Sequence, residues 1–92
     1  MKHADAITAL YNGIVQRYQF DLMSMIENQL PQSTRHYVSQ KQREHVSHQI
    51  EVLSSFAYDL GESDLAVICM RTAAELGSDG VVPQPIATQV AA

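Results

Sequence analysis

Pro31, Gly61 and the Gly77-Ser78-Asp79-Gly80 run cut this sequence into three, and each long piece between the cuts carries apolar residues at helical spacing. In the first piece Ile7, Tyr11, Ile14, Tyr18, Leu22 and Met25 recur at intervals of three and four, which places them on one helical stripe. Leu10, Val15 and Ile26 widen that stripe. The spacing predicts a helix over 4–30, stopped by Pro31 because the residue before a proline is driven out of helical geometry. Gly13 within it is expected either to weaken the helix or to permit close packing of a neighbour.

The second piece has the cleaner pattern. Val46, Ile50, Leu53, Ala57 and Leu60 form an a/d seam of the kind that packs against a near-antiparallel neighbour. A helix over 37–60 is expected after a polar connector, with Ser33 or Ser39 as N-cap and Ser39–Gln42 fitting a capping box. Gly61 ends it where a left-handed residue is commonly needed. A third helix over 63–77 starts at Ser63 with Asp64 in its first turn, both favourable at a helix N-terminus. Its run Leu65-Ala66-Val67-Ile68-Cys69-Met70 is apolar on every side and therefore needs cover on more than one face. Two helices of the same chain cover one side, and a second copy is the simplest cover for the other.

The expected architecture is all-α. A single small three-helix domain occupies residues 1–78, with two long antiparallel helices and a shorter apolar third. It pairs as a homodimeric bundle through Leu65, Val67, Ile68 and Met70, and residues 79–92 form a flexible tail. Ninety-two residues hold one core and not two, and 46% hydrophobic with 17% charged residues is too apolar for disorder. The longest unbroken apolar run has six residues, Leu65 to Met70, against about 20 for a membrane span. Met1-Lys2-His3-Ala4-Asp5 does not read as a signal peptide. The one cysteine, Cys69, leaves no internal disulfide. A cytoplasmic protein without a membrane partner is expected.

Charge is distributed unevenly. The chain carries −4 overall, yet residues 35–50 hold Arg35, Lys41 and Arg43 against Glu44 alone, while residues 51–92 hold six acids against Arg71. The basic stretch is expected to meet a partner through Arg35, His36, Tyr37, Lys41, Arg43 and His45. An acidic protein does not attract nucleic acid generally, though such a local face can touch a few phosphates. Phe56-Ala57-Tyr58-Asp59-Leu60-Gly61-Glu62-Ser63 resembles the centre of a helix-turn-helix, with Val67 and Met70 at matching later positions. That resemblance implies DNA binding, but Glu62 stands at a turn position that is usually apolar. The helix that would read the groove also offers acidic and apolar residues where Arg, Lys, Asn or Gln is needed.

Glu44, His48 and Glu51 share a helical face and suit a metal ion in type, but helix one offers only Asp21 and Glu27 as further ligands. Cys69 reads as a small core residue with a raised pKa. No nucleophile–base arrangement or phosphate loop is recognisable, so neither catalysis, a cofactor nor a bound metal is expected. Val90-Ala91-Ala92 resembles the Leu-Ala-Ala ending read by bacterial ClpXP-type proteases, and Val-Val-Pro-Gln-Pro-Ile suits an extended docking peptide. The reading that follows is a non-enzymatic regulator, adaptor or inhibitor of bacterial or phage origin that acts by protein–protein contact. A small nucleic-acid-binding regulator is second, and a metal-binding bundle third.

Overall fold

In the computed structural model, which describes residues 3–86, α1 (His3–Glu27), α2 (Gln32–Asp59) and α3 (Ser63–Asp79) follow one another, and residues 80–86 run on without regular structure. The all-α, three-helix expectation holds. No helix among the described residues is long and apolar enough to cross a membrane.

The apolar periodicity becomes the core directly. Ile7, Tyr11, Val15 and Tyr18 of α1, with Val46, Ile50, Leu53 and Ala57 of α2, are buried together with Ala66, Cys69, Ala73 and Leu76 of α3. Ile14, Leu22, Leu60 and Leu65 pack around them half-buried. Burial of each Ile or Leu in such a cluster stabilises by roughly 1.5–3 kcal/mol relative to exposure.

The turns are built differently from the expectation. α1 stops at Glu27 rather than residue 30, because the chain reverses through Gln29 in a left-handed conformation (φ 52°) before Leu30 and Pro31 extend. α2 then begins at Gln32, five residues early. Pro31 holds the N-cap position with no side-chain cap, and its carbonyl accepts the first helical bond from the Arg35 N–H at 2.9 Å. Neither Ser33 nor Ser39 caps this helix. Pro31 has no side-chain acceptor to offer, so the first backbone N–H groups of α2 are left to solvent at this exposed end. Ser63 likewise is the first residue of α3 and not its cap, which is Glu62.

At the other end of α2, Gly61 takes φ 80°. The Gly61 N–H reaches the Tyr58 carbonyl at 3.0 Å and the Glu62 N–H reaches the Ala57 carbonyl at 2.9 Å. These two bonds satisfy the orphan carbonyls of α2 in the Schellman pattern and turn the chain through a hairpin. α3 runs back along α2 with Ala73 and Gly77 beside Ser47, and Gly80 beside Arg43. The Ser47 hydroxyl donates to the Ala73 carbonyl at 2.8 Å, and a Cβ on Gly77 would stand 3.1 Å from that same Oγ. Ser47, Ser54 and Ala57 facing Ala66, Ala73 and Gly77 bring these two backbones close. Gly13 plays no such part, because nothing lies within 4 Å of where its Cβ would be.

With 17 residues against 28, α3 covers only part of α2. Beyond Gly80 the start of α2 and the end of α1 project as a two-helix hairpin without a third helix over them.

The seam yields a test. Gly77→Ala is expected to cost about 1 kcal/mol by overpacking against the anchored Ser47 hydroxyl. In a chain already carrying Ser47→Ala the same change should be neutral or favourable, since alanine is the better helix former. Urea unfolding of the four chains in this double-mutant cycle measures the coupling, and equal losses in both backgrounds would remove the close seam from the account.

Candidate functional site

The apolar side chains that the core leaves outside are numerous and clustered. Leu10, Ile14, Val52, Leu53 and Phe56 line an open trough of about 380 Å³ between α1 and α2. Leu10, Ile14 and Gln49 also line its continuation of about 590 Å³, which runs past Gly13 and Arg17 to Asp21, Gln42 and His45. Leu10, Val52 and Phe56 are each more than half exposed. Helical spacing explains the placement: Val52 and Phe56 are one turn apart and flank the buried Leu53 on the side of α2 facing away from α3. Small residues line the α1 wall, Ala9 and Gly13. Phe20, seven residues on from Gly13 and 66% exposed, continues that flank.

The far end of the trough is polar. Asp21 accepts a hydrogen bond from the Gln42 amide at 2.8 Å across the two helices and lies 3.4 Å from the Arg17 Nε on its own helix. Arg17 is largely exposed, so that ion pair contributes little to stability.

A second surface lies on the projecting hairpin. Leu22, Met25 and Ile26 of α1 and Gln32, Ser33, Arg35, His36 and Ser39 of α2 line an open depression of about 780 Å³. It exists because α3 ends before it reaches this level.

The sequence-predicted partner residues divide between these surroundings. Arg35 and His36 border the depression. Tyr37 and Lys41 point outward together, the ammonium 5.8 Å from the ring centroid and 3.8 Å from the Glu44 carboxylate. Arg43 turns toward the end of α3, where its Nη1 stands 3.1 Å from the Cβ position of Gly80. The last turn of α3 has no basic residue of its own, so this guanidinium faces the negative end of the helix dipole. His45 lines the polar end of the trough. Arg35, Lys41 and Arg43 therefore do not form one basic face.

The predicted dimer residues also separate. Leu65 packs on the core and Ile68 lines the groove between α1 and α3. Val67 and Met70 are 60% and 59% exposed. α3 turns its small residues inward and leaves an apolar stripe outside at Val67 and Met70.

The helix-turn-helix resemblance at 56–63 resolves as a hairpin in which α3 lies antiparallel on α2. Glu44, His48 and Glu51 are exposed, and among the described residues no three His, Cys, Asp or Glu side chains converge as a metal site. Residues Val81–Ile86, expected as tail, lie against α1. The alanine-rich ending resembling a degradation signal falls outside the described residues.

Missing from the sequence reading were the trough residues Val52 and Phe56 and the polar residues Asn12 and Gln19 that hold the final segment. Val52 and Phe56 carried a signal, an apolar pair one turn apart and off the seam. Asn12 and Gln19 carried none.

No protein-family model matches this chain, and neither does any curated protein or solved structure with which it was compared.

Three buried ionisable groups give the fold a pH limit. Burial pushes the Cys69 thiol above its ordinary 9.0. Burial also raises the Tyr11 and Tyr18 phenols above 10.0, opposed at Tyr11 by its hydrogen bond with Thr72 and at Tyr18 by the Arg43 charge. The unfolded chain releases these protons first, so their contribution to stability is intact below pH 9 and is lost as pH rises through the folded values. Urea midpoints should therefore fall from about pH 9 upward. In Cys69→Ala the fall should begin about one unit later, with the tyrosines. Identical pH profiles for the two chains would exclude Cys69 as a contributor.

Proposed function

We propose that this protein is a non-enzymatic regulator, an adaptor or inhibitor, that works as a homodimer by binding another protein. The observation carrying the proposal is the trough between α1 and α2, where Leu10, Val52 and Phe56 stay more than half exposed on one continuous face. Scattered apolar side chains are ordinary on a protein surface, but a contiguous set lining a concave strip is the mark of an interface.

The trough suits a helix as its occupant. It is long, it lies between two helices, and Ala9 and Gly13 lower one wall enough for a backbone to approach. A second copy offers such helices by symmetry: α1 and α2 of two chains, trough to trough, make a four-helix arrangement with each α3 outside. The polar end, with Arg17, Asp21, Gln42 and His45, gives the pairing a rim that fixes its register. This reading moves the pairing face from α3 to the opposite side of the domain.

The depression at the projecting end is then free for the target. Its floor of Leu22, Met25 and Ile26 takes apolar side chains, and Arg35 and His36 at its edge favour a partner with acidic residues around an apolar anchor.

Sedimentation equilibrium of the full chain from 1 to 100 µM, as order-of-magnitude limits, tests the pairing. A dimer is expected, with Leu10→Asp and Val52→Asp each shifting it to monomer while far-UV circular dichroism stays helical. Val67→Asp on α3 should leave the dimer intact. A chain that is monomeric across the range, or a dimer broken by Val67→Asp and not by the trough variants, would sink the assignment.

A further inference from the structure

After Gly80 (φ 68°) the chain leaves α3 and doubles back over α1. It is held there by α1 side chains that bond to its backbone. The Gln19 amide donates to the Pro83 carbonyl at 3.1 Å, and the Asn12 amide donates to the Ile86 carbonyl at 2.9 Å. The Asn12 side-chain oxygen accepts from the Ile86 N–H at 2.7 Å, so one amide meets both polar groups of one residue, as a neighbouring β-strand would. The Tyr11 hydroxyl lies 3.4 Å from the Gln84 carbonyl and 3.2 Å from the Thr72 hydroxyl, shared between them.

Dimensions agree with an extended segment. From Asn12 to Gln19 a helix rises about 10.5 Å, and the three residues from Pro83 to Ile86 span about 10 Å when extended. Recognition is by backbone, with two side chains as anchors: Pro83 is buried and Ile86 packs on the core. The other four residues of the segment are exposed, and none of the six is charged.

We propose that the groove between α1 and α3 is a binding site for an extended, uncharged, proline-containing segment of another protein, and that Val81–Ile86 is the chain's own occupant, displaced when the partner binds. This rests on the interaction-module reading only in taking the chain to act by protein contact. It requires neither the trough nor the dimer.

The chemistry of the partner follows from what sits in the groove. Tyr11, Asn12 and Gln19 address carbonyls at successive points of an extended backbone, whatever its sequence. A proline pre-extends the incoming chain and lowers its ordering cost, which is why grooves lined by aromatic and amide groups select such segments. The resident segment has one buried anchor, Pro83, and one half-buried, Ile86, beside its four hydrogen bonds to α1. Tethering adds an effective concentration of about millimolar. A partner whose side chains replace exposed Val81, Val82, Gln84 and Pro85 with better contacts overcomes that advantage.

The probe is a fluorescein-labelled synthetic peptide, Gly-Val-Val-Pro-Gln-Pro-Ile-Ala, titrated into full-length chains by anisotropy. Pro83→Ser with Ile86→Ser loosens the resident segment without touching the groove, and Ile86→Ser alone is the milder variant should the double change disturb folding. Helical circular dichroism and slow alkylation of buried Cys69 certify the fold. Saturable binding to the loosened chain is expected, with at least tenfold weaker binding to wild type, whose groove is filled. Asn12→Ala in the loosened chain should weaken binding by at least tenfold, through loss of the paired bonds.

No saturable binding to folded, loosened chain overturns the proposal, as does binding indifferent to Asn12→Ala. If the peptide converts a wild-type dimer to monomer, the occupant is a second copy's own segment and the partner assignment falls. Peptide binding that persists in Leu10→Asp monomers separates this site from the trough. Loss of dimerisation alone therefore rejects the pairing and leaves the groove standing.

Discussion

The close approach of α2 and α3 determines the rest of the architecture. Ser47, Ser54 and Ala57 on one helix and Ala66, Ala73 and Gly77 on the other make a seam of small side chains, and the Ser47 hydroxyl closes on the Ala73 carbonyl. Large apolar residues are displaced to the third side, where Ile50, Leu53 and Leu76 meet Ile7, Tyr11, Val15 and Tyr18 of α1. The hairpin therefore has a thin seam and a thick core, and α1 lies on the thick side. Because the Gly61 turn fixes where α3 begins and the left-handed Gly80 fixes where it ends, the hairpin also fixes which part of α1–α2 goes uncovered.

Much of this was legible in the sequence, since periodicity reports directly on the core. Of the seam Val46, Ile50, Leu53, Ala57 and Leu60, all but the half-buried Leu60 are buried together, and the α1 stripe is buried at Ile7, Tyr11 and Tyr18 with Ile14 half-buried between them. Less legible was how the ends are made. Residues 32–36 carry polar side chains with no apolar period, so a helix there is visible only in the launch from Pro31. The apolar run of α3 divides in a way its pattern does not show: Ala66, Cys69 and Ala73 turn inward, their small size suiting close packing on α2, while Val67 and Met70 stay outside. Size within the apolar class, which a two-letter pattern discards, held that information.

The candidate surfaces were read less well, for a related reason. An interface that takes another chain has the same composition as a core, so Leu10, Val52 and Phe56 merge with the neighbouring seam in any apolar count. Leu10, Val52 and Phe56 stay outside because they lie on the side of α2 away from α3, whereas the lengths, 17 residues in α3 against 25 and 28 in its neighbours, leave the end with Met25 and Ile26 uncovered. The basic stretch is dispersed by the helix. Arg35, Lys41 and Arg43 are close in sequence, yet an α-helix turns 100° per residue and sends them to three surroundings. Proximity along the chain became proximity in space for Arg35 and His36, which share the rim of one depression, and for Tyr37 and Lys41, which stack one turn apart.

These features meet on α1, which has three working faces rather than two. Its core face is aromatic and aliphatic. One flank, through Leu10, Gly13 and Arg17, walls the trough, and the opposite flank, through Asn12 and Gln19, holds the extended segment. Leu10 and Asn12 are two residues apart and so point to nearly opposite sides of the helix. Substitutions on one flank can leave the other undisturbed, and the two surfaces can be occupied at the same time. A helix built this way has a blurred amphipathic pattern, because polar residues on one flank bond a backbone and apolar residues on the other line an open trough. The weak periodicity of α1 beyond its core stripe is thus the expected signature of a helix packed on its core face and on one flank, where the chain's own returning segment lies, and open on the other.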